Sequence, residues 1–283
     1  MAWSFSVLIL TLNEERDLPR CLGSVAACDD IVVLDSGSAD RTAELARSAG
    51  ARMFVRPFDT FAGQRNFAQR EIAFRHPWVF HLDADEQMTA ELAAECSAAA
   101  SRPDLDGFWA APRMLFHGRW IPHCTDYPAW QARFVRAPQF EFVDAGHGQR
   151  ESPAMRLGRL GSPYLHDLSS DSEAEWLGKH HRYARAEARE WMAENARHGG
   201  NSFGRDLGRL FAADRLLRRR ALKRLSHALP LRSASRFVYQ YILRRGFLDG
   251  RPGLRYCRLL AQYEGFVADE LRRLRKGNRT PSL

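Results

Sequence analysis

No Cys-x-x-Cys pair occurs in this 283-residue chain, and its five cysteines (Cys21, Cys28, Cys96, Cys124 and Cys257) are odd in number and widely scattered. That spacing speaks against a thiolate zinc site and against a disulfide framework, and it suits a reducing compartment such as the cytoplasm. No uninterrupted apolar run approaches the ~20 residues that a membrane-spanning helix needs, so the chain is not expected to cross a bilayer. The opening MAWSFSVLIL has neither a basic n-region nor a cleavage site, so it does not read as a signal peptide. No internal repeat is evident.

What is present is an ordinary globular balance, 45% hydrophobic and 27% charged residues, so most of the chain is expected to fold. The charge is unevenly spread. Residues 205–283 carry 20 Lys and Arg against 6 Asp and Glu, or +14, while the preceding 204 residues carry 22 against 28, or −6. A mildly acidic front and a strongly basic tail suggest two jobs, the second involving an anionic partner; two parts are expected, 1–170 and a helical 171–283.

The front reads as alternating strands and helices. Aliphatic runs of strand length stand at 5–12, 31–34, 51–55 and 78–82, with helical spacing at 17–27, 39–49 and 64–74 between them. This is the pattern of an α/β domain with a parallel sheet covered by helices on both faces, where ligands bind beyond the carboxyl ends of the strands. Those exits are polar: Thr11-Leu12-Asn13-Glu14, Asp35-Ser36-Gly37-Ser38 and Asp83-Ala84-Asp85-Glu86. Residues 104–168 are irregular and aromatic, reading as mixed strands and long loops. Helical character returns at 174–195, 205–227, 233–245 and 252–275.

Asp83-Ala84-Asp85 is the sharpest chemical feature. Two carboxylates at i and i+2 past a strand can converge on one Mg²⁺ or Mn²⁺, which prefers such oxygen ligands and fills its shell with water and phosphate oxygens. The plainer alternative is a solvated acidic turn. An Asp such as Asp35 at a strand end can accept from a base N–H or a ribose hydroxyl, and Ser36-Gly37-Ser38 offers backbone N–H groups and hydroxyls.

The segments ILTLNEE (9–15), VVLDSGSADRT (32–42), GQRNFA (63–68) and HLDADE (81–86) resemble the family 2 glycosyltransferases. They are most similar to the TLNEE-containing branch that decorates lipopolysaccharide cores and exopolysaccharides. The resemblance implies a GT-A-type, Rossmann-like, mostly parallel sheet flanked by helices, followed here by a basic helical region. It further implies an inverting hexosyltransferase that moves a sugar, as from a UDP-hexose, to a glycan or lipid-linked acceptor. Thr11, Asn13, Glu14, Asp35, Ser36 and Gly37 would then line the nucleotide, and Gln64, Arg65 and Asn66 would approach the donor. Asp83 and Asp85 would hold a divalent Mn²⁺ or Mg²⁺ on the pyrophosphate, with His166 as third metal ligand. Glu151, after Gly146-His147-Gly148, maps to the catalytic base. Relatives usually show a Pro-Asp pair where this chain has Pro128-Ala129, and His-Glu near 146–148, so Asp144 and Asp126 stay open as alternatives.

Trp109, Trp120 and Trp130 suit either stacking on sugar rings or loop packing. His117 and His123 flank Trp120, and Arg113 is a candidate for an anionic group of donor or acceptor. The basic helices of the tail, amphipathic at 205–227 and 233–245, suit an anionic membrane surface. A peripheral position on the inner face of the cytoplasmic membrane is expected from that. Nucleic acid is not expected as a partner, because aromatic interleaving and RNA-module motifs are missing. Two other readings remain: a non-catalytic membrane-surface or nucleic-acid-binding protein on a vestigial α/β domain, and a nucleotidyltransferase. The latter would want a glycine-rich basic loop where Asn13-Glu14-Glu15 stands.

Overall fold

The computed structural model describes residues 3–145, 148–169, 173–197, 207–208, 218 and 231–277. The chain divides into two compact units, Met1–Ser170 and Asp171–Leu283.

The first unit is built on a seven-stranded sheet in the order β12-β6-β9-β4-β1-β2-β3. Its centre is β1 (Ser6–Thr11), flanked in parallel by β2 (Ile31–Asp35) and β4 (Trp78–Asp83), with β3 (Arg52–Val55) beyond β2. These central strands are short aliphatic runs because both faces are covered. Leu18 and Cys21 of α1 (Leu18–Ser24) share one core with Leu92 and Cys96 of α4 (Ala90–Ala99). On the opposite face Ala68 and Ile72, in and just after α3 (Phe61–Glu71), pack on Leu8, Leu34 and Val79. Helix α2 (Thr42–Ser48) adds Ala46 to the first core. The mostly parallel, helix-flanked sheet expected from the sequence is present. Helix α3 begins at Phe61 rather than near 64, because the Thr60 hydroxyl accepts from the Gly63 N–H and caps the first turn.

The far half of the sheet departs from pure parallel. Strand β9 (Gln131–Arg136) runs antiparallel to β4 and to β6 (Gly107–Ala110), while β12 (Leu157–Arg159) lies parallel to β6. Rings of Phe5, Trp78, Phe108 and Phe134 meet across this part, Trp78 stacking on Phe134 with centroids 4.8 Å apart and Phe5 meeting Phe134 edge-on. A bulge interrupts the ladder: Phe108 pairs with Phe134 and Trp109 with Ala132, so Arg133 is the extra residue. Ala132 and Val135 consequently pack on one face while Phe134 packs on the other. A bulge of this kind re-aims its extra side chain.

A second sheet, β5-β13-β7-β8, joins β5 (Glu86–Gln87) to β13 (Tyr164–Asp167), β7 (Pro112–Phe116) and β8 (Arg119–Trp120). Its antiparallel β5–β13 register sets His166 opposite Glu86. The hairpin β10 (Phe142–Ala145) and β11 (Gly148–Glu151) stands alone. All five cysteines are buried.

The second unit contains α5 (Glu173–Arg197), α6 (Arg232–Phe237), a π-helical turn at Val238–Leu243, a 3₁₀ turn at Gly246–Asp249 and α7 (Gly250–Gly277). Ala184 and Ala188 of α5 pack on Val267 and Leu271 of α7. The buried Arg232 reaches Glu264 through Nε at 2.6 Å. The helix expected at 205–227 lies outside the described residues but for positions 207–208 and 218. Among the described residues no helix is long and apolar enough to cross a membrane.

Candidate active site

The exits of β1 and β2 are laced together. Thr11 and Asp35 are register partners, and the Thr11 hydroxyl donates to Asp35 at 2.7 Å. Asp35 also accepts from the Gly37 N–H (3.0 Å), the Ser38 N–H (2.8 Å) and the Ser38 hydroxyl. Burial alone would raise this carboxyl, but the donors of Ser38, Thr11 and Gly37 outweigh it and hold Asp35 below its ordinary range. Gly37 sits at φ +95°, where a side chain is strained. Asn13 takes the left-handed conformation that Asn tolerates, and its Oδ1 accepts from the Ala39 N–H at 2.8 Å. The Glu14 N–H donates to the Thr42 hydroxyl. The loops after β1 and β2 therefore form one braced rim.

Three consecutive residues of α3 reach three different places, as the helical turn of about 100° per residue dictates. Gln64 is buried and its Nε2 donates toward the Ser36 hydroxyl and the carbonyls of Arg56 and Pro57. Arg65 donates to Asp83 Oδ1 at 2.7 Å. Asn66 clamps the β10–β11 hairpin, its Nδ2 donating to the Phe142 carbonyl and its Oδ1 accepting from the Phe142 N–H.

At the β4 exit lies a buried charge cluster. Arg133, aimed inward by the bulge, donates to Asp83 Oδ2 at 2.9 Å and to Glu86 Oε1 at 2.7 Å. Both oxygens of Asp83 thus face a guanidinium. Burial opposes its charge, yet Arg133 and Arg65 hold the Asp83 carboxyl well below the usual range. Glu86, wholly buried, is pushed up to about 7 by that burial and by Asp83 and Asp85, against the pull of Arg133. Arg65 is 1% exposed, and its Nε and Nη1 have no partner among the described residues. Arg133 is the residue the sequence does not announce, since a bulge has no signature in a single chain.

Asp85 and His166 meet at the same exit, His166 Nε2 lying 3.2 Å from Asp85 Oδ2. Burial works against the imidazolium, but Asp85, Glu86 and Asp83 together raise His166 to about 9. A field that keeps a proton there is one that favours a divalent cation. Among the described residues no three His, Cys, Asp or Glu side chains form a metal cage. The Asp85–His166 pair nevertheless fits an open oxygen-and-imidazole site whose remaining positions fall to water and phosphate. Of the three residues expected around a metal, the structure brings Asp85 and His166 into contact and places both oxygens of Asp83 against arginines.

The hairpin carries the candidate bases. Phe142 is the register partner of Glu151, and Asp144 that of Gln149. Strand alternation therefore puts Glu151 and Asp144 on the face of Phe142, whose ring lies 5.3 Å from that of His81. Gly146 and His147 lie outside the described residues. Arg113 is exposed and stacks over Trp120 at 4.9 Å.

A braced loop rim beside a strand-exit carboxylate–imidazole pair defines an α/β domain with a site suited to a phosphorylated, metal-borne ligand. Residues 6–138 match the sequence profile of Glycosyl transferase family 2. The lipopolysaccharide core biosynthesis glycosyltransferase LpsC of Rhizobium meliloti (strain 1021) is 39% identical over 127 residues, spanning 39% of this chain and 46% of that protein. An uncharacterized glycosyltransferase of Rickettsia bellii (strain RML369-C) is 34% identical over 106 residues, 37% of this chain and 35% of that one. The chain thus spans less than half the length of these curated relatives. Among solved structures, S. aureus TarS 1–349 is 17% identical with a TM-score of 0.44, over 96% of this chain and 91% of that one. The matched segment, a little under half of the chain, is similar to family 2 glycosyltransferases, the lipopolysaccharide-core enzyme LpsC among them.

Proposed function

We propose that this protein is an inverting, metal-dependent glycosyltransferase. It moves a hexose from a nucleoside-diphosphate donor, with UDP as the expected nucleotide, to a glycan or lipid-linked acceptor of cell-envelope polysaccharide or lipopolysaccharide. The single observation that carries this reading is the pairing of Asp85 with His166 at the β4 exit, beside the arginine-braced Asp83. Asp85 and His166 would hold Mn²⁺ or Mg²⁺, which when bound supplies charge neutralisation to the departing diphosphate.

The remaining work belongs to the chain's own residues. Thr11, Asn13, Glu14, Asp35, Ser36 and Gly37 form the wall for base and ribose, and Gln64 holds that wall to α3. Asp83 keeps Arg65 and Arg133 close to the diphosphate position, so positive charge is in place before the leaving group departs. Asn66 fixes the hairpin from which Glu151, or Asp144, takes the proton of the acceptor hydroxyl. That oxygen attacks the anomeric carbon from the face opposite the diphosphate. One C–O bond forms as the other breaks, and the nucleoside diphosphate leaves with the bonding pair.

The second unit suits a membrane-bound acceptor. Val238, Tyr239, Ile242, Leu243, Phe247 and Leu248 are exposed apolar residues in a stretch that also holds Arg236, Arg244 and Arg245. Apolar side chains ringed by arginine fit the interface of an anionic leaflet, and we assign the protein to the inner face of the cytoplasmic membrane.

A thermal-shift panel of UDP-, GDP- and dTDP-sugars with and without Mn²⁺ tests the donor side. A ligand at 100 times its Kd stabilises the native state by about 2.7 kcal/mol. For a domain of this size that is a Tm rise of roughly 5–10 °C, expected for one nucleotide class and only with metal. No metal-dependent shift with any of them would sink the proposal.

A further inference from the structure

Arg159 ends β12 and is the register partner of Trp109 in β6. Strand β6 pairs antiparallel with β9, which pairs antiparallel with β4, so β6 and β12 run in the direction of β4. Trp109 and Arg159 therefore lie at the sheet edge where Asp83 and Asp85 emerge. Trp130, just before the start of antiparallel β9, lies at that edge too. Three strand spacings of about 4.8 Å put Arg159 roughly 14 Å from β4 along the sheet. That is too far for the donor sugar on the diphosphate and within reach of a second or third sugar of an acceptor. The face is set as well: Trp109 packs against the cluster of Ala62, Phe140 and Phe142, on the side of the hairpin that carries Glu151 and Asp144.

The guanidinium of Arg159 is held between two indoles, its Cζ lying 5.8 Å from the Trp109 ring centre and 5.3 Å from that of Trp130. Stacking engages the faces of a guanidinium and leaves its in-plane N–H donors unused. Arg159 is exposed, and among the described residues no carboxylate pairs with it. Three other exposed or half-buried arginines of this unit pair with carboxylates instead: Arg156 with Asp106, Arg102 with Asp104 and Arg56 with Asp59. Trp130 is 39% exposed, leaving part of a flat apolar face in solvent beside an oriented cation. A pyranose presents an apolar C–H face, and an acidic one adds a carboxylate or phosphate that a guanidinium fork binds in two parallel hydrogen bonds.

We propose that Arg159, with Trp109 and Trp130, forms an acceptor subsite for a negatively charged sugar, carboxylated or phosphorylated. This rests on the glycosyltransferase reading and assigns it an acidic acceptor. The subsite selects the acceptor several ångströms away from the reacting hydroxyl, and touches neither donor nor metal.

The test is a tryptophan-fluorescence titration of the full chain, kept saturated with UDP and Mn²⁺ so that the donor site is filled. Glucuronate and glucose 6-phosphate are the charged probes and glucose the neutral one. At least one charged probe should bind saturably and tenfold or more tighter than glucose, and which of the two does so distinguishes carboxylate from phosphate. Arg159→Met, which keeps the packed stem, should weaken that probe at least tenfold while the UDP-dependent Tm rise stays as in wild type. Equal binding of charged and neutral sugars, no binding of either, or unchanged affinity in Arg159→Met overturns the subsite. A wild-type protein with no metal-dependent UDP response would instead fail the donor reading, which the Tm measurement reports separately.

Discussion

Asp85→Ala is expected to lower metal-dependent sugar transfer, or donor hydrolysis, by on the order of 10²–10³-fold, the range seen when a group that stabilises developing charge is removed. Folding should hardly change. The Asp85 side chain is 34% exposed and its partner in the structure is His166, so its loss should fall within about 1 kcal/mol of stability. Release of UDP from a UDP-sugar with Mn²⁺, read alongside Tm, checks both halves. Activity within threefold of wild type, or a large drop in Tm, would contradict the role assigned to it. Asp83→Ala should look different, because it leaves Arg65 and Arg133 facing each other in the interior without a shared counter-ion.

The second large effect is on stability. Arg133 is 3% exposed and bonds two carboxylates, one of them wholly buried. Arg133→Met keeps much of the volume and removes the charge, stranding Glu86 beside Asp83 and Asp85. Removing one member of a buried ion pair typically costs about 3–5 kcal/mol. In a unit of this size that is a Tm loss of roughly 6–20 °C. Adding Glu86→Gln to Arg133→Met should recover part of the loss, since the stranded charge is then gone. Scanning calorimetry of the two single variants and the double variant gives the coupling directly. Additive losses, with no recovery in the double variant, would show that Arg133 acts through packing alone.

The two effects also separate what the sequence discloses from what it conceals. The strand exits are legible because buried parallel strands are aliphatic and end abruptly in Asp35 and Asp83, so composition alone marks both position and polarity. His166 is legible only through the family resemblance: its contact with Asp85 depends on β13 pairing with β5 across nearly eighty residues, which no local pattern encodes. Arg133 is hidden more deeply. In regular alternation it would share the face of Val135, and only the mismatch between Phe108–Phe134 and Trp109–Ala132 turns it to Asp83. Gln64, Arg65 and Asn66 show an intermediate case. Their order in the motif places them near the site, but their hydrogen bonds to the β2 loop, Asp83 and the Phe142 backbone follow from helix phase. Trp109 and Trp130, equally suited by sequence to sugar stacking or packing, gain a specific meaning once Arg159 is found between them.

The most direct measurement is a crystal structure of the protein grown with UDP and Mn²⁺, using the anomalous signal of manganese to locate the ion. A single strong peak is expected at the β4 exit, between Asp85 and His166 and next to the diphosphate, with the uracil against the Asp35 loop. UDP bound elsewhere on the sheet edge, or bound at this exit with no manganese between Asp85 and His166, would contradict it.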